Sequence, residues 1–297
     1  MTRWILLIAV VGCGAPSGAT GDDDDDGPDA AIADAAIPEG FAELVAGDWN
    51  LGAGDEGYHC VLRTLTEDVW ITDFHNTAPP GTHHSALSVG PPIGPDGSGV
   101  CDAAANQPTI IYGAGVGTPD LALPAGVAVR VRAGQQVMLN LHVFNASDNA
   151  LAGRSGVSIR STTADVVEAG VANTGKTTDL SVPPGNSTQV GTCNVADSSR
   201  ALSVFPHMHQ LGIHMKATVT RGGTTQTLID MPYSFDSQAY YPIAPELQLA
   251  PGDRIRVECS YQNTTGATVG FGQSSLQEMC GLGIYVSPPW NNGNCGF

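Results

Sequence analysis

The chain has 297 residues, 12 Lys and Arg against 29 Asp and Glu, and a formal net charge of −17 at pH 7. That balance argues against a nucleic-acid partner, since phosphate contacts need bases and the lysines are Lys176 and Lys216 alone, and it argues equally against a basic membrane-binding surface. With 14% charged and 42% hydrophobic residues, 37 Gly and 20 Pro, the composition predicts short strands and tight turns rather than a helical bundle.

Residues 1–20 read as a signal segment: basic Arg3, an apolar run from Trp4 to Val11, then Val10-Val11-Gly12-Cys13. The run is too short for a membrane-spanning helix. Its pattern resembles the lipobox of a bacterial lipoprotein, which makes Cys13 the acylated residue; an ordinary secretory cut nearer Ala19 is the rival reading, and both export the protein to the cell envelope or medium. Residues 21–40, with the Asp22–Asp26 run, Asp29, Asp34 and Glu39, read as a self-repelling solvated linker. Consecutive aspartates lack the spaced ligands and turn glycine of a calcium loop. Membrane contact is expected only through a lipid at Cys13.

With Cys13 assigned to the anchor, Cys60, Cys101, Cys193, Cys259, Cys280 and Cys295 remain, an even set in an oxidising compartment. They predict three disulfides whose connectivity the sequence leaves open, and the absence of any CxxC pair argues against a zinc–cysteine site. Asn145, Asn186 and Asn263 lie in N-x-S/T sequons and mark expected surface loops. Val127, Val129 and Val131, then Val137, Leu139, Leu141 and Val143, alternate with other residues around Ala133-Gly134, which predicts a hairpin. Ile213, Met215, Ala217 and Val219 alternate in the same way, as do Ile255 and Val257. The Thr-, Gly- and Pro-rich segment 173–187 is the expected boundary between two β-sandwich domains, 41–178 and 179–297. No internal sequence repeat is visible.

The chemistry concentrates in His83-His84, His142 and His207-Met208-His209. Residues i and i+2 of a strand share a face, so His207 and His209 suit one metal ion. Adjacent His83 and His84 would point to opposite faces of a regular strand; joint ligation needs a bulge or strand end, for which Pro79-Pro80-Gly81 is placed. No carboxylate stands at chelating spacing, which weakens a facial-triad iron site. Imidazoles suit zinc or copper, and a thioether from Met138, Met208 or Met279 would select copper, with Met208 pointing away from the flanking histidines on a regular strand.

His207-Met208-His209-Gln210-Leu211-Gly212, with Gln277-Glu278-Met279-Cys280 downstream and Thr82-His83-His84 upstream, resembles the copper type II monooxygenases over most of residues 55–297. The resemblance implies an all-β fold of two antiparallel, jelly-roll-like sandwiches, each carrying one copper ion and facing the other across a solvent-filled interdomain cleft. It implies that His83, His84 and His142 hold an electron-relaying copper. It also implies that His207, His209 and Met279 hold the copper where dioxygen and a substrate C–H bond react, with ascorbate or another one-electron donor as reductant. The disulfides it implies are Cys60–Cys101, Cys193–Cys295 and Cys259–Cys280, the last fixing the strand next to Met279. A non-catalytic copper-binding or copper-delivery lipoprotein is the alternative.

This chain departs from the peptide-hydroxylating members of that family at Phe205, Gly281 and Gly283, where those members carry an Arg, an Asn and a Tyr that hold a substrate carboxylate. The expected substrate is therefore small and neutral or aromatic rather than a peptide ending in glycine, unless Arg130, Arg132 or Lys216, on strands near the expected ligands, compensate.

Overall fold

The computed structural model describes residues 36–295 except 116 and 178, all within one compact unit of the chain. The signal segment, Cys13 and most of the acidic linker lie outside the described residues. No helix forms among the described residues, as the turn-rich composition predicts.

The strands of the first half are β1 (Ala42–Leu51), β2 (Glu56–Thr64), β3 (Val69–Thr77), β4 (Thr82–Gly90), β5 (Gly97–Val100), β6 (Thr109–Gly115), β7 (Leu121–Ala122), β8 (Val127–Val131), β9 (Gln136–Phe144) and β10 (Leu151–Ser161). Those of the second are β11 (Val167–Lys176), β12 (Ser181–Val182), β13 (Gly185–Asn194), β14 (Ser199–His207), β15 (Gly212–Arg221), β16 (Thr224–Pro232), β17 (Tyr241–Leu249), β18 (Arg254–Asn263), β19 (Val269–Gly270), β20 (Cys280–Ser287) and β21 (Asn294–Cys295). One large sheet runs β1-β10-β3-β8-β11-β20-β14-β17, faced by β5-β2-β9-β4-β6 in the first half and β13-β18-β15-β16 in the second.

Those orders contain a repeat that the amino-acid sequence hides. Leaving out the short β5, β7, β12, β19 and β21, the order β1-β10-β3-β8 becomes β11-β20-β14-β17 strand for strand, and β2-β9-β4-β6 becomes β13-β18-β15-β16. Local irregularities repeat as well. The β4–β9 register slips between Thr82 and His84, and the β15–β18 register slips between Gly212 and His214. Asn145 just after β9 and Asn263 at the end of β18 close matching loops, each donating from Nδ2 to the carbonyl four residues on (Asn149, Ala267) and accepting from the amide two residues on. Such Asx turns explain two of the three sequons: the loops 146–150 and 264–268 are on the surface as expected, while Asn145 and Asn263 themselves are 0% and 3% exposed and hold those loops from beneath. Asn186 alone is exposed.

The expected hairpin does not form. β8 pairs with β3 and β11 while β9 pairs with β2 and β4, so Ala133-Gly134 arches from one sheet to the other. Both strands still bury their valines and leucines in the same core; an alternating pattern is satisfied equally by a side-by-side or a face-to-face partner. β18 shows the alternation undisturbed, whereas Ile213 of β15 is 43% exposed because the bulge beside it turns it outward.

Segment 173–187 is not a bare connection, since it contains the end of β11, β12 and the start of β13. β11 itself joins the halves: Val167–Ala169 pair with β8, and Gly170–Lys176 pair with β20. Val171 packs against the first core cluster and Ala172 belongs to the second. The six described cysteines form Cys60–Cys101, Cys193–Cys295 and Cys259–Cys280, the pairing that the resemblance implied.

Candidate metal centre

His83 and His84 follow a turn in which the Thr82 amide donates to Pro79 O at 2.9 Å. Gly81 holds φ at 95°, and a Cβ there would lie 2.5 Å from the Trp49 ring, so no other residue fits. The bulge that follows is the irregularity which adjacent ligands require: it brings both imidazoles to His142, which sits opposite His84 on β9. His142 Nδ1 lies 3.1 Å from His83 Nδ1 and 3.4 Å from His84 Nδ1. Metal–imidazole bonds of about 2.0–2.1 Å at tetrahedral angles separate their nitrogens by roughly 3.3 Å, so the spacing fits a single ion.

Which nitrogen faces that centre is decided by the far edge of the ring. His142 Nε2 lies 2.5 Å from Glu56 Oε1; a carboxylate only accepts, so Nε2 carries the proton and Nδ1 keeps its lone pair. Tyr58, two residues from Glu56 on β2, stacks on the His142 ring at 4.5 Å and 5°. The sequence reading missed both; their i, i+2 spacing opposite the His142 strand becomes informative only once β2 and β9 are known to pair.

The second group is built the other way round. His207 ends β14, and His209 lies just beyond the strand, so the two are not regular strand neighbours; their rings meet at 5.3 Å and 85°. His207 Nδ1 lies 2.9 Å from Gln238 Oε1, whose Nε2 donates to Phe235 O, and His209 Nδ1 lies 3.0 Å from Gln277 O. Both acceptors fix the proton on Nδ1, which leaves the lone pair on Nε2 of each ring. Met279 lines the same cavity as these two histidines, while Met208 is fully buried in the second core and Met138 sits in β9.

Glu278 ties this group together. Its side chain is 0% exposed and accepts from the amides of His209 (3.0 Å), Leu211 (2.7 Å) and Met279 (3.2 Å). Tyr261 OH donates to Met279 O at 2.5 Å, and Cys280 is bonded to Cys259. Burial pushes the Glu278 carboxyl up, opposed by those three amides.

The histidines are set to be neutral. Burial holds His83, His142 and His207 below the usual imidazole range and His84 well below it, with neighbouring imidazoles adding at His83 and His84. Burial, then His207, pushes His209 down to about 3. A neutral imidazole is the form that ligates.

The space between the halves is narrow where the two histidine groups meet. His84 and His207 rings are 6.5 Å apart, and Phe235 touches both His83 (4.7 Å) and His209 (5.8 Å). Aromatic packing closes the halves: Tyr240 stacks on Tyr112 at 5.7 Å, and its hydroxyl donates to Gly113 O and accepts from Gly113 N. What remains is a cavity of about 300 Å³ into which His84, His207, His209 and Met279 open, walled by Phe205, Gly281 and Gly283 among others. Arg130, Arg132 and Lys216 do not reach it; they pair with Asp68, Glu168 and Asp230. In the second half the repeated bulge presents Ile213 and His214 opposite Ser260, and His214 pairs with Asp230, so the three-histidine cluster is not duplicated.

Comparison with known proteins agrees with this chemistry. Residues 164–296 match the family model of the copper type II ascorbate-dependent monooxygenase C-terminal domain. Peptidyl-glycine alpha-amidating monooxygenase A of Xenopus laevis is 27% identical over 236 residues, 74% of this chain and 25% of that protein. The putative DBH-like monooxygenase protein 2 of Homo sapiens is 32% identical over 92 residues, 30% of this chain and 18% of that protein. The chain thus spans a quarter or less of the length of these relatives. A solved VP2 protein of infectious bursal disease virus aligns over 85% of this chain and 76% of its own, with a TM-score of 0.20 and 11% identity, a likeness too low to carry any argument.

Proposed function

From the premise that residues 164–296 carry the C-terminal domain of the copper type II monooxygenases, we propose that this protein is a copper-dependent monooxygenase. It would place one oxygen atom of dioxygen into a C–H bond of a small substrate, with ascorbate or another one-electron donor as reductant. His83, His84 and His142 would hold one copper ion through Nδ1. His207 and His209 through Nε2, with the Met279 thioether, would hold a second, and each half of the body, 41–178 and 179–297, would supply one site. Copper, when bound, supplies one-electron transfer and dioxygen activation.

The chain's own residues do the rest. Neutral imidazoles and a thioether favour the reduced ion. Glu56, Gln238 and the Gln277 carbonyl hold the His142, His207 and His209 rings, respectively, in one tautomer and orientation. Phe235 packs between His83 and His209, and Phe205 packs on Tyr240 in the wall of the cavity, so apolar surface flanks the space between the two groups. Three disulfides agree with an exported protein, and export by a lipoprotein-type signal with acylation at Cys13 completes the reading.

One observation carries the proposal: two histidine groups, with His142 held at its Nε2 edge and His207 and His209 at their Nδ1 edges, adjoin one cavity. Metal analysis and oxygen uptake test it. The protein loaded under reducing conditions should bind two copper ions. His142→Ala should lose one and His207→Ala the other, and substrate-dependent oxygen uptake should vanish in both variants. A single copper ion, zinc preferred at both sites, or unaltered oxygen uptake in either variant would overturn the assignment.

A further inference from the structure

Resting on the monooxygenase reading, we propose that the cavity selects an uncharged substrate: an aromatic or aliphatic body carrying a neutral hydrogen-bonding group such as a carboxamide. The cavity, about 300 Å³, is at the small end of pockets that enclose organic ligands, roughly 300–1,000 Å³. A single ring with a short chain is the size it accepts.

Its walls set the chemistry. Phe205, Tyr240, Phe271 and Tyr285 supply ring surface, and Ala86, Ala114 and Leu282 supply aliphatic surface. The Tyr240 and Tyr285 hydroxyls are committed to the backbone, at Gly113 and Ile111 O, while the Tyr112 hydroxyl, also in the wall, is buried with no partner and adds a neutral polar group. Side-chain polarity away from the histidines comes mainly from amides, Asn106 and Gln273 among them, whereas the Asn140 NH2 is committed to the Asp102, Ala103 and Ala105 carbonyls. Among the described residues no Asp, Glu, Lys or Arg lines the space. Of the acids near the ligands, Glu56 is committed to His142 and Glu278 to three backbone amides, while Asp236 acts on His83, which does not line the space.

An ion entering such a space loses hydration that no fixed counter-charge restores, a cost of several kcal/mol by general experience with buried ions. A neutral aromatic gains about 25 cal/mol for each Å² of apolar surface it buries, and amide side chains satisfy a carboxamide without charge. Metal ions at the histidine end would attract an anion by direct coordination, so copper-free and copper-loaded protein must be compared.

Isothermal titration of the whole protein with three isosteric probes, 3-phenylpropanamide, 3-phenylpropanoate and 3-phenylpropylamine, reads the selection directly. The amide should bind at least tenfold tighter than either ion in both forms of the protein. Ala86→Phe, whose ring grows into the cavity, should weaken the amide at least tenfold. Gly283→Ala is the variant that the fold tolerates, because its added methyl meets Val171, Phe205 and Asn173 at ordinary contact distances of 3.5, 3.7 and 3.8 Å; it should weaken the amide severalfold. Equal or tighter binding of either ion, binding of none of the three at 20 mM, or amide affinity unchanged in both variants would overturn the proposal. Oxygen uptake is scored separately: amide binding without any substrate-dependent uptake would sink the catalytic reading and leave the cavity's selectivity standing.

Discussion

Replacing Glu278 by Gln is the sharpest perturbation of the second ligand group, because one buried carboxylate joins two segments far apart in sequence. It accepts the His209 and Leu211 amides through separate oxygens, at 3.0 and 2.7 Å, and the Met279 amide at 3.2 Å. A glutamine has one acceptor oxygen, so its NH2 must face at least one of those N–H groups. Hydrogen bonds to a charged group contribute about 1.5–3 kcal/mol each, and a stranded buried donor costs about 1–3 kcal/mol. Losing one bond outright and the charge assistance of the others amounts to about 2–5 kcal/mol, moderated because burial already disfavours the ionised carboxyl. At about 2–4 °C per kcal/mol for a body of this size, the melting temperature should fall by roughly 5–15 °C. Thermal unfolding followed by circular dichroism, with the disulfides intact, measures that shift. Competition with a Cu(I) chelator should show at least a tenfold weaker site at His207, His209 and Met279, with the His142 site unaffected. Glu258→Gln is the control, since Glu258 pairs with Arg256 at a half-exposed position, with Lys216 opposite it on β15, and should shift stability by less than about 0.5 kcal/mol. If the Glu278 and Glu258 variants melt together and keep the same Cu(I) affinity, the carboxylate is not what holds the ligand loops.

Three further outcomes follow from the geometry. Glu56→Ala removes the acceptor on His142 Nε2 and should weaken copper at the three-histidine site by about 10–100-fold without changing the fold, read by chelator competition and the Cu(II) electron-spin-resonance spectrum. Opening the Cys259–Cys280 bridge by a double Ser substitution releases a loop of sequence separation 21 and should cost about 3 kcal/mol in chemical denaturation, with Met279 copper binding weakened in step. Asp253 is held below the usual carboxyl range by its bond to Arg221, with the Ala250 amide adding to the effect. A depressed folded pKa makes that stabilisation complete above the unfolded value of about 3.9 and lost as pH falls through the folded one. Asp253→Asn should therefore lower stability at pH 6 and flatten its decline between pH 4 and pH 2, and an acid limb identical to the parent's would contradict it.

The sequence by itself determined what chemistry is available. Its alternating strands, its even set of six cysteines in the body and the residues that became ligand candidates were all legible because side-chain period and residue type are local properties. The need for a bulge at His83-His84 was legible too, since adjacent strand residues face apart, and the register slip after Thr82 meets that need. Which strand lies beside which was not. The valines around Ala133-Gly134 fit a hairpin as well as an arch between sheets, and only the pairing of β8 with β3 and β9 with β2 decides between them. The repeat of strand order between the halves was invisible for a related reason: topology is held by burial pattern and turn geometry, which many sequences satisfy, while His83, His84 and His142 have Ile213, His214 and Ser260 at the matching register positions. Glu56, Gln238 and Glu278 act through partners 86, 31 and 69 residues away, so their roles exist only after folding. The closeness of the two histidine groups is likewise a tertiary result, produced by the sheet continuing through β11 and by Tyr240 locking onto Gly113, neither of which leaves a local mark in the chain.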